Sequence, residues 1–322
     1  MAITNSAFDV LEGLTVDEAL ANPAFIPDLM LKAIDGQELQ RVLFRTHTVT
    51  SNVVAYREQS PYYLEDDVEH VAEFGEIPVA DPFTGELLTT AVTKNGIAIR
   101  VSWEQRNDND NAAVRREVEA RANTVVRSQA REAIAALDEA YPVGHAKAGQ
   151  KKVQEYDVAN SGGAWNKQGA KPADNILDAM ELITGAEDEE GHYYDYTPNV
   201  LVIHPTTLSA LKRSEAVQKL YIGNLAAENP LYKGISEQEI LFGTLQVVAT
   251  RAVKKEEAFL ATEGLAGFMA EREPEWFSDF YEERGQSGRG GANQSWRSDY
   301  THRRGFALDG PKSVVKLTGL MA

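Results

Sequence analysis

The spacing of apolar residues divides the chain into stretches of different period. The clearest is 111–139, NAAVRREVEARANTVVRSQAREAIAALDE. There Val114, Val118, Ala122, Val125, Ala130, Ala133, Ile134 and Leu137 recur at steps of three and four. That spacing lays one apolar stripe along a helix. The opposite face carries Arg115, Arg116, Glu119, Arg121, Arg127, Arg131 and Glu132. Asp108 or Asp110 can cap its start, and Pro142 and Gly144 mark its end. At 1.5 Å per residue the helix should be roughly 40 Å long. With a single apolar face it should lie across a sheet, not run through a core.

Upstream, the period changes to two. THTVTSNVVAYRE alternates and is rich in β-branched residues, and TTAVTKNGIAIRVSWE does the same. Asn95-Gly96 in the second offers a type I′ turn. Between them lies an acidic stretch broken by Gly75, Pro78, Pro82 and Gly85. Residues 46–103 therefore predict a long polar hairpin without helix, immediately ahead of the long helix. Residues 1–45 read differently. Thr15 and Glu18 have capping-box spacing, and PDLMLKAIDGQELQRVLF predicts a helix broken or ended near Gly36. This segment has too little apolar material for a core of its own and reads as an arm.

After a polar linker at 145–170 the pattern becomes α/β. Ala173–Gly185 predicts a helix, NVLVIHP a buried strand, and PTTLSALKRS a helix with Pro205 at its front. ILFGTLQVVAT and EAFLAT read as strands. From Glu271 long alternating strands return, joined by the loop GQSGRGGANQ, and the chain closes on PKSVVKLTG. No internal repeat of fixed period is present.

Composition narrows the function classes. The chain has 322 residues, enough for a core that needs no staples. It has no cysteine, which excludes disulfides, thiolate metal sites and cysteine nucleophiles. The start has no basic n-region or apolar h-region, and no apolar run approaches the ~20 residues of a membrane span. A soluble protein without membrane contact is expected. The formal charge is −17, the wrong sign for a protein whose primary work is gripping polyanions.

Candidate chemistry is sparse. None of the six histidines has metal-ligand spacing such as HExxH. NDNDN at 107–111 resembles the start of a calcium loop, but Ala113 stands where the sharp turn needs glycine, so it reads as a helix cap. GQSGRGGA lacks the Lys-Ser/Thr of a phosphate loop and precedes strand pattern, so it reads as a turn. Acidic pairs such as Asp66-Asp67 and Glu189-Glu190 lie in polar loops. No catalytic residue, cofactor site or metal site is expected.

The order of these elements is more informative than any motif. GEIPV at 75–79, KNGIAIRVSWE at 94–104, the helix at 111–139, PNVLVIHPTTLSAL at 198–211, LFGTLQVVAT at 241–250 and RRGFALDGPKSVVKL at 303–317 occur in sequence over nearly the whole chain. In that order they resemble the major capsid proteins of tailed bacteriophages, with the Hong Kong 97-type fold. The resemblance implies an α+β chain. It would have an N-terminal arm (1–45), an extended E-loop with flanking strands (46–103), a spine helix and the first part of a peripheral domain (104–171), an α/β axial domain (172–265) and a second peripheral part (266–322). It implies a shell subunit that assembles with itself into pentamers and hexamers of an icosahedral virion capsid, built in the host cytoplasm. The shell would enclose double-stranded DNA without reading its sequence, and a portal protein would be a separate partner. No long scaffolding region precedes the arm, so any scaffold is expected to be separate or removed. The charged residues Glu73, Glu76, Lys94, Arg100, Arg115 and Arg116 are the candidates for contacts between subunits. Some relatives cross-link lysine to asparagine, but nothing here identifies the partner asparagine and acid for Lys94. An encapsulin-type nanocompartment around protein cargo is the alternative within the same fold.

Overall fold

The computed structural model describes all residues except 1–13, 35–38, 62–67, 69, 72, 73, 76, 78, 80–84, 162, 168, 189, 190, 215–238 and 242–244. Gly36, the pairs Asp66-Asp67 and Glu189-Glu190, and the candidates Glu73 and Glu76 thus lie outside the described residues. Helices α1 (Val16–Ala21), α2 (Phe25–Ile34) and α3 (Leu39–Leu43) lead into β1 (Phe44–Thr48). Then come β2 (Val53–Arg57), β3 (Leu87–Ala91), β4 (Thr93–Ser102), α4 (Trp103–Asn107) and the long α5 (Asn111–Leu137). Strand β5 (Gln154–Asp157), α6 (Pro172–Thr184), β6 (Val200–Ile203), α7 (Pro205–Arg213), β7 (Glu239–Leu241), β8 (Leu245–Ala249) and β9 (Ala258–Ala261) follow. The chain ends through β10 (Gly267–Phe277), β11 (Tyr281–Glu282), β12 (Ser295–Ala307) and β13 (Val314–Thr318).

Among the described residues three sheets result. In the first, β12 is central: β10 and β11 pair along one edge and β4 along the other, with β1 added parallel to β10. The second has the order β5-β13-β9-β6-β8-β7, and β2 pairs β3 as a separate antiparallel ribbon. The second sheet draws β5 and β13 from outside the 172–265 stretch. Its central strands β6 and β9 are buried on both faces, as their unbroken apolar runs require.

The spine α5 lies across the first sheet. Val114, Val118, Ala122, Val125 and Val126 form one core with Ile99 and Val101 of β4 and with Phe277, Trp296 and Tyr300. Its C-terminal turns, from Ala130 to Leu137, enter a second core with Phe44, Met269 and Leu308 and with Val200, Val202 and Phe259 of the other sheet. One helix therefore joins both sheets. NDNDN is a double cap. Asp108 closes α4, Asp110 accepts a hydrogen bond from the Ala113 amide at 3.0 Å, and Asn109 and Asn111 bond Val16 and Leu14 beside α1.

Four expectations need correction. Asn95-Gly96 makes no turn: both lie inside the continuous strand β4, paired with His302 and Thr301. A Cβ on Gly96 would stand 2.7 Å from the Tyr300 carbonyl oxygen, so the glycine serves close strand approach. The hairpin is also shorter than the alternation suggests. Among the described residues only β2 and β3 form a ribbon, while β1 and β4 belong to the main sheet. The N-terminal segment does lack its own core, but its described part does not stand off. Val16, Leu20, Ile26, Met30 and Ile34 are buried against the spine. The helix also stops at Leu137, before Pro142.

Met30 is fully buried between α2 and the spine cluster. Met30→Ala should lower stability by about 2–4 kcal/mol, read as a fall in the urea midpoint. An unchanged midpoint would mean that this segment is not part of the core.

Candidate assembly surface

The first sheet separates two faces of different chemistry. On β12, Tyr300, His302, Arg304 and Phe306 face the spine. Tyr300 accepts a hydrogen bond from buried Gln129 (2.9 Å), His302 approaches Glu132 (4.0 Å), and Phe306 joins the spine-end core. Arg304, 2% exposed, donates to Glu275 at 3.0 Å, and Gln129 bonds the same carboxylate and accepts from Gln40 (3.0 Å). A charge this deep is tolerated only when paired, so Arg304 ties β12 to β10, and the Gln129 bonds tie the helix to both strands. Gly305 and Ala307 face away from the spine. There Tyr56 of β2 and Leu88 of β3 pack on Ala307 and Phe268. The ribbon therefore lies on the face opposite the spine.

Several contacts hold the ribbon's root. Arg57 donates to the Gly85 carbonyl at 2.6 Å, and the Gln59 amide donates to the Asp309 carbonyl at 2.7 Å. The Tyr196 hydroxyl donates to Gln59 at 2.9 Å. His145, stacked on Tyr141, places Nε2 2.9 Å from Glu86. The Tyr141 hydroxyl donates to Glu58 at 3.2 Å, and burial together with that carboxylate raises its pKa. Burial alone would lower Lys152. Glu139 (3.0 Å) and Tyr56 (3.2 Å) outweigh it and hold the ammonium above its ordinary value. Beyond this root four apolar side chains have almost no cover: Val68 is 97% exposed, Phe74 99%, Ile77 78% and Val79 89%.

On the same face, β4, β10 and β12 form a shallow groove lined by Lys94, Ala98, Trp276, Arg297, Asp299 and Thr301. Trp276 is 57% exposed at a register shift of β10. Sequence reasoning missed this groove. The available signal was a tryptophan amid the glutamates of EREPEWF.

The candidate charges do not form one cluster. Lys94 is exposed on β4 beside the groove. Arg100, on the same strand face, pairs with Glu283 at 2.7 Å. Hydrogen bonds from Ser295 and Arg100 lower the Glu283 pKa. Arg115 and Arg116 belong to the spine, across the sheet, and Arg115 pairs with Glu119 at 2.9 Å. The glycine-rich loop offers no free phosphate cradle. Its Ser287, Gly288 and Gly291 amides donate to Glu282, which lowers that carboxyl's pKa. Among the described residues no three His, Cys, Asp or Glu gather to hold a metal. No described helix is long and apolar enough to cross a membrane.

A spine crossing a long-stranded sheet, a ribbon projecting from the sheet's far face and a two-sided α/β layer at the spine's end define a capsid shell protein of the Hong Kong 97-type fold. The chain belongs to the family described as "Phage capsid protein", whose model matches residues 85–317. No curated protein matches it significantly. Solved structures share its fold at low identity. A virus-like particle from Pyrococcus furiosus is 12% identical, with 91% of this chain and 97% of that chain covered and a TM-score of 0.53. The capsid of a native GTA particle is 14% identical (89% and 90% covered, TM-score 0.54). A structure of Mycobacterium phage Ogopogo is 12% identical (88% and 92% covered, TM-score 0.54).

The root contacts predict a local effect. His145→Ala removes the ring stacked on Tyr141 and its approach to Glu86, a contact worth about 1 kcal/mol. Amide exchange in β2 and β3 should then quicken about fivefold, while the spine's exchange stays the same. Equal exchange in both proteins would show that the contact does not hold the ribbon.

Proposed function

We propose that this capsid protein is the shell subunit of a tailed-phage head, arranged as pentamers and hexamers around double-stranded DNA, with no catalytic role. One observation carries the assembly part of the reading: the ribbon side exposes Phe74, Val68, Ile77 and Val79 almost completely. Ordering each backbone residue costs roughly 1–2 kcal/mol, and a two-stranded ribbon alone is marginal in water. Order in such a loop must come from another surface, and a second copy supplies it. The groove beside Trp276 lies on the same face as the ribbon's root, where a neighbour's ribbon would arrive. A contact of standard size buries about 1,600 Å², within reach of a long loop laid over an adjacent subunit. Separate scaffolding and portal proteins complete the expected partners, and assembly takes place in the host cytoplasm. The acidic balance suits a container whose lining releases its contents.

Replacing residues 62–84 with a short glycine-serine linker should leave a folded chain with an unchanged melting temperature that no longer closes into particles under negative-stain microscopy. Closed particles of normal size from that variant would refute the ribbon's role. Nuclease-resistant DNA in wild-type particles checks the second half of the reading, and protein cargo in its place would indicate a nanocompartment.

A further inference from the structure

The charged residues along the outer face of α5 are not equivalent. Arg115 is taken up by Glu119 at 2.9 Å. Arg121 is held by Glu117 at 3.4 Å and by the Ala98 carbonyl at 3.1 Å. Glu132 accepts from Asn95 at 2.7 Å. Three exposed arginines remain without a carboxylate among the described residues: Arg116, which reaches only the Ala112 carbonyl, Arg127 and Arg131. From Arg116 to Arg131 they span roughly 22 Å of helix at 1.5 Å per residue. The outward positions between them, Ala120, Thr124 and Ser128, are small.

Two further observations select the occupant. First, no exposed large apolar side chain lies on α5, whereas the ribbon face has several. A protein interface needs an apolar or aromatic core, and a phosphate backbone needs only cations. Second, the strip and the ribbon lie on opposite faces of the first sheet. Neighbours related by rotation about axes normal to a single-layer shell keep the same face outward. A neighbour's ribbon therefore reaches the ribbon face, and the strip is left to what lies above or below the shell.

We propose that the strip Arg116, Arg127 and Arg131 is the lumenal contact for the phosphate backbone of the packaged double-stranded DNA. The contact is weak, independent of sequence and dependent on salt. It rests on the reading above that the shell encloses DNA. The strip gives the lining a spaced set of touch points, about three phosphates per subunit.

The test uses unassembled full-length protein and a short fluorescein-labelled DNA duplex, followed by anisotropy. Between about 20 and 200 mM NaCl the affinity should fall with a log–log slope near −2.7, which is −0.9 for each of three phosphates. The variant Arg116→Gln/Arg127→Gln/Arg131→Gln should lose that slope and bind at least about tenfold more weakly at the lowest salt. The corresponding Arg→Lys variant, which keeps the charge and controls for folding, should bind as the wild type does. Lys94→Gln/Arg100→Gln, on the far face, should leave binding unchanged. Absence of salt-dependent binding by the wild type, or equal loss in the far-face variant, overturns the assignment. A triple Gln variant that binds DNA normally but fails to close particles also overturns it, because the strip would then seat a protein. Closure of wild-type particles around DNA is scored separately, so failure of the strip and failure of the shell reading are distinguishable.

Discussion

The packing of α5 on β12 constrains the rest of the molecule. A helix of 27 residues lies on a strand of 13 residues, and alternate side chains of that strand meet it. At the middle of the contact the side chains are polar. Gln129 bonds Tyr300 and the Glu275 carboxylate that also holds Arg304, while Val118 and Ala122 pack nearer the N-terminal end and Ala133 nearer the C-terminal end. The apolar parts tolerate small slips of helix against sheet, whereas the hydrogen bonds of buried Gln129 do not. A one-residue slip would leave buried Gln129 without Tyr300 and Glu275, and an unsatisfied buried polar group costs about 1–3 kcal/mol. The helix covers one face of β12, so the alternate residues Gly305 and Ala307 face away, and the ribbon sits on them.

The periodic elements were legible in sequence for that reason. The three-and-four spacing of α5 and the unbroken apolar run of β6 are each dictated by what they pack against. The Thr15–Glu18 capping box was legible too, because it is a contact between residues three apart. Asn95-Gly96 misled because the same dipeptide serves two needs. Gly96 has no Cβ because Tyr300, more than two hundred residues away in sequence, passes too close, and no local pattern records that. The N-terminal helices were read as an arm because their apolar side chains are few. Val16, Leu20 and Met30 suffice once the spine completes the core. The groove at Trp276 and the pairing of Arg100 with Glu283 depend on three strands meeting, so the candidate charges could be named but not sorted by face.

The two faces follow different chemistry. The ribbon side has exposed apolar residues, an open tryptophan and acids; no Lys or Arg occurs in sequence between Arg57 and Lys94. The spine side buries its apolar stripe and exposes arginines among small residues. Apolar exposure at Phe74 and Val79 is unfavourable in an isolated chain, so it points to a surface covered in the assembled state. Arginine exposure is no such liability in water, and its meaning depends on the charge brought near it.

A chain of net charge −17 can hold a cationic strip because the sheet keeps the two potentials apart. The helix and the sheet together are about 10 Å thick or more, comparable to the ~8 Å over which physiological salt screens a charge. Acids on the ribbon side therefore neutralise little of Arg127 and Arg131. Of the acids on α5, Glu117 and Glu119 are paired with Arg121 and Arg115, while Glu132 accepts from the neutral Asn95 amide. Among the described residues no carboxylate pairs with Arg116, Arg127 or Arg131. Net charge thus describes the chain's solubility and its long-range repulsion of polyanions, and the short-range character of each face is set by which ion pairs the α5 register allows.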